Sequence, residues 1–230
     1  METTPLIPES EAEKLRAHLE KQLASPVTID LFTRPESRII VPGRECEACE
    51  DTHALMREIA ALSDKITLNV YDFYADPQKP QAFGVNRIPA IVLRGAARGK
   101  VRYLGIPAGY EFASFLEDLG DVSGGKTDLS EETKTALKSL DQDIHIQVFV
   151  TPTCPFCPGA ARLAHKMAVE SERVTADVVE ASEFPDLVQR YRVQGVPKIV
   201  VNDAVEFVGA QPEDSFLEHV LKAAEPAGVA

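Results

Sequence analysis

Cys46-Glu47-Ala48-Cys49 and Cys154-Pro155-Phe156-Cys157 are one motif written twice, 108 residues apart. The same shift lays Phe83-Gly84-Val85-Asn86-Arg87-Ile88-Pro89-Ala90-Ile91-Val92-Leu93 onto Tyr191-Arg192-Val193-Gln194-Gly195-Val196-Pro197-Lys198-Ile199-Val200-Val201. A lone Cys-x-x-Cys is a weak signal. Followed about forty residues later by an apolar residue, a proline and a β-rich run, it is a strong one. Two such pairs in register indicate a duplicated thiol-redox domain.

The surrounding sequence parses into matching elements. In the first copy, apolar spacing predicts a helix over Glu9 to Leu23, with Ser10 and Glu13 as a capping box. Val27 to Phe32 alternates as a strand. Helix Thr52 to Leu62, strand Ile66 to Phe73 and short helix Pro77 to Phe83 follow. Ala90 to Leu93 and Val101 to Leu104 form an antiparallel pair, and Tyr110 to Leu119 is a last helix. The second copy repeats this order. Helix Leu129 to Leu140, capped by Asp128, precedes strand His145 to Val150, a helix after Cys154 and strand Val174 to Val179. Helix Pro185 to Tyr191, the hairpin Lys198 to Val201 with Val205 to Val208, and helix Phe216 to Ala223 complete it. Asp121 to Thr127, with Gly124-Gly125, reads as the junction. The expected domains are therefore 1–124 and 125–230. The copies differ mainly in loops, above all the long insert Thr33 to Glu45, where the second copy has only Val150 to Thr153.

A strand, a Cys-x-x-Cys at a helix start and a proline before a late strand are the order of a thioredoxin-like fold. The expectation is an α/β protein of two tandem thioredoxin-like folds, each a central mixed sheet flanked by helices. Free N–H groups at a helix start favour thiolate over thiol. Cys46 and Cys154 are thus the expected nucleophiles, and Cys49 and Cys157 resolve the mixed disulfide. Before Pro89 and Pro197 a cis bond costs only about 0.5–1 kcal/mol. Such a bond turns the chain edge toward the sulfurs, so Ile88 and Val196 are candidates to pair with an extended substrate segment.

The two pairs are unequal. Pro155 suits the first turn of a helix and no acid stands near Cys154. Around Cys46, the acids Glu45, Glu47, Glu50 and Asp51 face the single base Arg44. A carboxylate ~6 Å from a thiolate opposes it by about 0.7 kcal/mol in water, and by ~2.8 at an effective dielectric of 20. A helix terminus returns ~0.3–1 kcal/mol. Cys46 is expected to be the less activated thiol.

Composition narrows the function classes. The chain has 230 residues and a net charge of −12, and both halves are acidic, which excludes a basic nucleic-acid face. No apolar run approaches the ~20 residues of a membrane span, and the N-terminus lacks the regions of a signal peptide. A cytoplasmic protein is expected. All four cysteines lie in the two motifs. A bond closing four residues is worth about 2 kcal/mol in chain entropy against ~4.7 for a 100-residue loop, so the pairs read as reactive and not as staples.

Val101-Arg102-Tyr103-Leu104-Gly105-Ile106-Pro107-Ala108-Gly109-Tyr110-Glu111-Phe112, taken with Phe149-Val150-Thr151-Pro152-Thr153-Cys154-Pro155-Phe156-Cys157-Pro158, resembles the protein disulfide oxidoreductases of thermophilic archaea and bacteria. The likeness covers nearly the whole chain. It implies thiol–disulfide exchange with disulfide-containing or dithiol proteins, without a cofactor beyond the cysteines, and a thioredoxin-reductase-like flavoprotein as electron partner. Disulfide-rich thermophilic cytosols reconcile such work with a cytoplasmic address. The chain also resembles the double-thioredoxin module of peroxiredoxin reductases, which would make it a dedicated carrier to a peroxidase. A third reading is an iron–sulfur or metal-binding glutaredoxin-like protein with Cys46, Cys49 and His53 as ligands. Zinc pairs, however, lie roughly 15–20 residues apart, far closer than these. Asp72 and Glu180, at matching strand ends, are candidate proton shuttles.

Overall fold

The computed structural model describes residues 5–35 and 43–225. Most of the insert Thr33 to Glu45 lies outside them. The chain runs α1 (Glu9–Gln22), β1 (Val27–Thr33), α2 (Cys49–Ala60), β2 (Ile66–Asp72), α3 (Gln78–Phe83), β3 (Ala90–Arg94), β4 (Lys100–Leu104) and α4 (Tyr110–Gly124). The second copy gives α5 (Glu131–Lys138), β5 (Ile144–Val150), α6 (Cys157–Glu170), β6 (Val174–Glu180), α7 (Pro185–Arg190), β7 (Lys198–Val201), β8 (Val205–Val208) and α8 (Glu213–Ala224). Both copies have the thioredoxin-like order and the mixed pairing expected of it. β1 is parallel to β2 and antiparallel to β3, and β5 has the same relation to β6 and β7.

The two sheets are continuous. The strand order β2-β1-β3-β4-β6-β5-β7-β8 is a single eight-stranded sheet, joined where β4 runs parallel to β6 from Lys100↔Thr175 to Leu104↔Val179. That seam explains a difference between equivalent strands. β4 is buried along four of its five residues, whereas β8, left at the edge, alternates half-buried and exposed. A strand paired on one side only keeps one face in water.

The period of two along each strand sends side chains to two cores. Ile29, Leu31, Ile91, Leu93, Ile146 and Val148 point to one face, where α1, α2, α4, α5, α6 and α8 contribute to a core that spans both copies. Phe32, Val92, Phe149 and Val200 point to the other, beneath α3 and α7. The Cys-x-x-Cys helices α2 and α6 therefore share one layer.

Three helix ends and one proline differ from expectation. Pro8 caps α1, and both Glu11 and Ala12 donate to its carbonyl, so Ser10 lies inside the first turn and the Ser10–Glu13 box does not form. Ser130, not Asp128, caps α5, its hydroxyl accepting from Thr133 N at 3.1 Å, while Asp128 pairs with Lys166 at 2.5 Å. α4 runs on to Gly124 because Val122 and Ser123 are buried and Val122 O accepts from Ala96 N at 2.8 Å. The helix thus takes up the first part of the expected junction Asp121 to Thr127. Pro155 stands in the turn before α6, and it is Pro158 that occupies its first turn.

Candidate functional site: two cysteine pairs on one sheet

Each pair closes a disulfide across the start of a helix, with Cα atoms 5.5 Å apart in both. In each, the first cysteine is the outer one. Cys46 is 9% exposed against 1% for Cys49, and Cys154 8% against 0% for Cys157. An attacking sulfur reaches Cys46 and Cys154 first, and the inner sulfur is left to resolve. At the second pair, Cys154 N donates to Thr151 O and Cys157 N to Cys154 O, which ties both residues to the turn that opens α6.

The prolines lie where the sequence places them. Ile88-Pro89 and Val196-Pro197 are both cis. Cys154 Sγ sits 3.7 Å from Val196 O, and Ile88 and Pro89 share a cavity with Cys46. The two loops are held alike: Pro89 O accepts from Gly105 N at 2.9 Å, and Pro197 O from Gly209 N at 2.8 Å.

The acids around Cys46 divide. Glu45, Glu47 and Asp51 line its cavity, but Glu50 turns away to Arg34, 3.2 Å distant. Arg44 lies over the Tyr74 ring at 4.5 Å from its centroid. The two candidate shuttles also divide. Asp72, half-buried at the end of β2, accepts from Tyr74 N at 2.9 Å, while Glu180 is buried with Oε1 lacking a partner. Among the described residues no group of three or more His, Cys, Asp or Glu side chains is arranged to hold a metal ion. No helix there is long and apolar enough to cross a membrane.

Two further carboxylates carry no signal in the sequence because only tertiary contact gives them meaning. Glu111, in the first turn of α4, is 2% exposed and neither carboxyl oxygen has a partner. Burial pushes its pKa up to about 7, against the opposing charge of His165. The start of α4 is docked on the loop before Cys154. Tyr110 N donates to Pro152 O at 3.0 Å, and a Cβ on Gly109 would stand 2.1 Å from that oxygen. Farther along α4, Asp118 binds Tyr103 OH, His165 Nδ1 and Arg162, locking α4 to α6. Glu183, the other carboxylate, lines the Cys46 cavity from the second copy.

Two thioredoxin folds merged into one sheet, each with a Cys-x-x-Cys disulfide facing a cis-proline loop, define a class of double thioredoxin-fold dithiol–disulfide proteins. The thioredoxin domain family matches residues 37–117 and again 144–222. A protein disulfide oxidoreductase from Aeropyrum pernix is 35% identical, with a TM-score of 0.84 over 95% of this chain and 94% of its own. The alkylhydroperoxide reductase AhpF of Enterococcus faecalis is 25% identical, with a TM-score of 0.80 over 93% of this chain and 98% of the compared chain. The corresponding alkyl hydroperoxide reductase protein of Pseudomonas putida is 28% identical over 83% of this chain and 34% of its own length. The chain spans about a third of the length of the first curated relatives it matches. It belongs to the thioredoxin domain family, among the protein disulfide oxidoreductases with two fused thioredoxin folds.

Proposed function

We propose that the protein is a thiol–disulfide oxidoreductase that reduces, forms and rearranges disulfides of protein partners, with Cys154 and Cys157 as the dominant pair. The observation that carries this reading is the 3.7 Å approach of Cys154 Sγ to Val196 O. It sets an outer sulfur beside a backbone edge on which an extended peptide can lie. In reduction the Cys154 thiolate attacks a partner disulfide, one partner sulfur leaves as the mixed disulfide forms, and Cys157 displaces the partner to close the Cys154–Cys157 bond. In oxidation a partner thiolate attacks that bond at Cys154, and the partner's second thiolate then displaces Cys154. Val196 with Pro197, and Ile88 with Pro89, are the proposed substrate contacts. Cys46 and Cys49 form the second, weaker centre, and residues 1–124 and 125–230 the two domains. The cysteines need no further cofactor, and a cytoplasmic location with a thioredoxin-reductase-like flavoprotein as electron source suits the chemistry.

A narrower role, carrying electrons to a peroxiredoxin-like peroxidase, draws support from the alkyl hydroperoxide reductase relatives. The experiment that separates the two measures reduction of several unrelated disulfide-bonded proteins by the reduced full chain. Turnover of most of them supports the general oxidoreductase. Failure on all of them, with rapid electron delivery to one peroxidase, selects the carrier.

A further inference from the structure

Glu183 follows β6 in the second copy, yet its side chain serves the first. It lines a cavity of about 560 Å³ together with Cys46, Pro89, Glu47 and Asp51. Two features hold it there. Ile106 N, just past β4, donates to Glu183 Oε1 at 2.8 Å. Gly105, at φ +95°, leaves room where a Cβ would stand 2.8 Å from that same oxygen. Gly105 N also holds Pro89 O, so the carboxylate and the proline loop of the first pair hang on consecutive residues. Glu183 Oε2 is buried without a partner. Arg87, which pairs with Asp186 at 2.7 Å, ties the first copy to the start of α7.

The charges at this site pose a problem for thiol chemistry. Glu45, Glu47 and Asp51 line the cavity, and Glu180, whose Oε2 accepts from Glu183 N at 2.9 Å, adds its charge to that of Glu183. Asp186 on α7 is already matched by Arg87. A thiolate created at Cys46 by loss of its proton to bulk water adds one more negative charge to this set. Moving the proton to a carboxylate that lines the same cavity leaves the total unchanged.

We propose that Glu183 is the proton carrier of the first cysteine pair, taking the proton of Cys46 through the cavity and returning it to the partner's departing thiolate. The inference rests on the thiol–disulfide exchange proposed above. In the reducing direction, the Cys46 thiol gives its proton to the Glu183 carboxylate, and the Cys46 thiolate attacks the partner disulfide. One S–S bond breaks as the mixed disulfide forms, and the electron pair leaves on the partner's other sulfur, which takes the proton back from Glu183. Cys49 then displaces the partner from Cys46, closing the Cys46–Cys49 bond, and the Cys49 proton goes to the partner sulfur released in this step. The dithiol is oxidised by two electrons and the partner disulfide reduced by two. Burial, helped by the charge of Glu180 and opposed by the Ile106 hydrogen bond, raises the Glu183 pKa to about 7, which suits a group that both accepts and donates at neutral pH.

The test uses the full chain carrying Cys154→Ser and Cys157→Ser, so that only the first pair reacts. After reduction, its second-order rate with the uncharged 2-hydroxyethyl disulfide is followed from pH 5 to 9. The profile is expected to show a limb near pH 7. Glu183→Gln, which keeps the acceptor for Ile106 N, should abolish that limb and slow exchange at pH 7 by about ten-fold or more. The sign is decisive. Removing a negative charge would by itself make Cys46 more acidic and exchange faster, so relief of repulsion cannot produce a slower variant. Equal or faster exchange in Glu183→Gln overturns the proposal while leaving exchange at the first pair intact. If that variant fails to fold, the pH profile of Glu183 itself decides, and a profile without the limb overturns the proposal. No reaction of the reduced first pair at any pH would remove the exchange activity on which the proposal depends.

Discussion

Arg102 and Asp177 stand opposite each other on β4 and β6 and close the seam between the two copies with a bidentate ion pair, Nε–Oδ1 at 2.5 Å and Nη2–Oδ2 at 2.8 Å. Both are buried. Arg102 also donates to Gly84 O at 2.6 Å, and His145 Nε2 lies 2.7 Å from Asp177 Oδ2. Burial alone would raise the Asp177 pKa. Hydrogen bonding to His145 and the charge of Arg102 outweigh it, and the carboxyl ionises below its ordinary value. A charge pair at a sheet junction fixes register, because a slip of one residue would bury both charges unmatched.

Arg102→Met should therefore cost about 3–5 kcal/mol at pH 7, since it strands a buried carboxylate. The double variant Arg102→Met, Asp177→Leu should recover most of that loss. The pair's contribution is present above the unfolded-state pKa and disappears as pH falls through the lowered folded-state value. Urea unfolding of the single variant should thus approach that of the parent protein in strong acid. A single variant as stable as the parent at pH 7 would show that the pair does not hold the seam.

Cys154→Ser should remove most protein-disulfide reduction, and Cys46→Ser a minor part. Cys157→Ser should instead accumulate mixed disulfides, because Cys154 attacks and nothing resolves the product. Non-reducing gels and turnover with a disulfide-bonded protein measure both. The ranking of the sites would be reversed by a Cys46→Ser protein that loses more turnover than Cys154→Ser.

Glu111 should make the oxidised protein lose stability as pH rises from its ordinary value of 4.5 toward 7. The folded state keeps the proton over that window while the unfolded chain has released it, so the contribution is complete below the window and gone above it. Glu111→Gln removes the effect. It should stabilise the protein by about 2–3 kcal/mol at pH 8 and change little at pH 4. Equal shifts in denaturation midpoint at the two pH values would mean that Glu111 ionises normally.

Glu47 lines the Cys46 cavity, whereas Glu50 is exposed and paired with Arg34. Glu47→Gln should lower the apparent pKa of Cys46 by about half a unit at low salt, and Glu50→Gln by less. Alkylation rates against pH give both values, and the Glu47 effect should shrink at ~1 M salt. A larger effect from Glu50 would contradict the arrangement of the acids.

Much of this protein is legible in one dimension because its signals are local. The cysteine spacing puts two sulfurs on one helical turn, and the apolar period marks strand and helix. The repeat at 108 residues reveals the duplication and matches the two prolines to the two pairs. Hairpin β7–β8 falls on the expected residues, Lys198–Val201 and Val205–Val208. Helix caps are less legible: Ser10 lies within the first turn of α1 and Ser130 just before α5, and only the backbone decides which hydroxyl meets an N–H. The tertiary structure alone decided that β4 would meet β6 and fuse two sheets, since edge pairing uses backbone groups that every residue carries. It alone also decided that Glu111 would be buried and that Glu183 would line the cavity of the other copy's cysteine pair. A carboxylate's pKa is set by burial and by charges distant in sequence, so no local pattern distinguishes these two from the acids that remain in solvent.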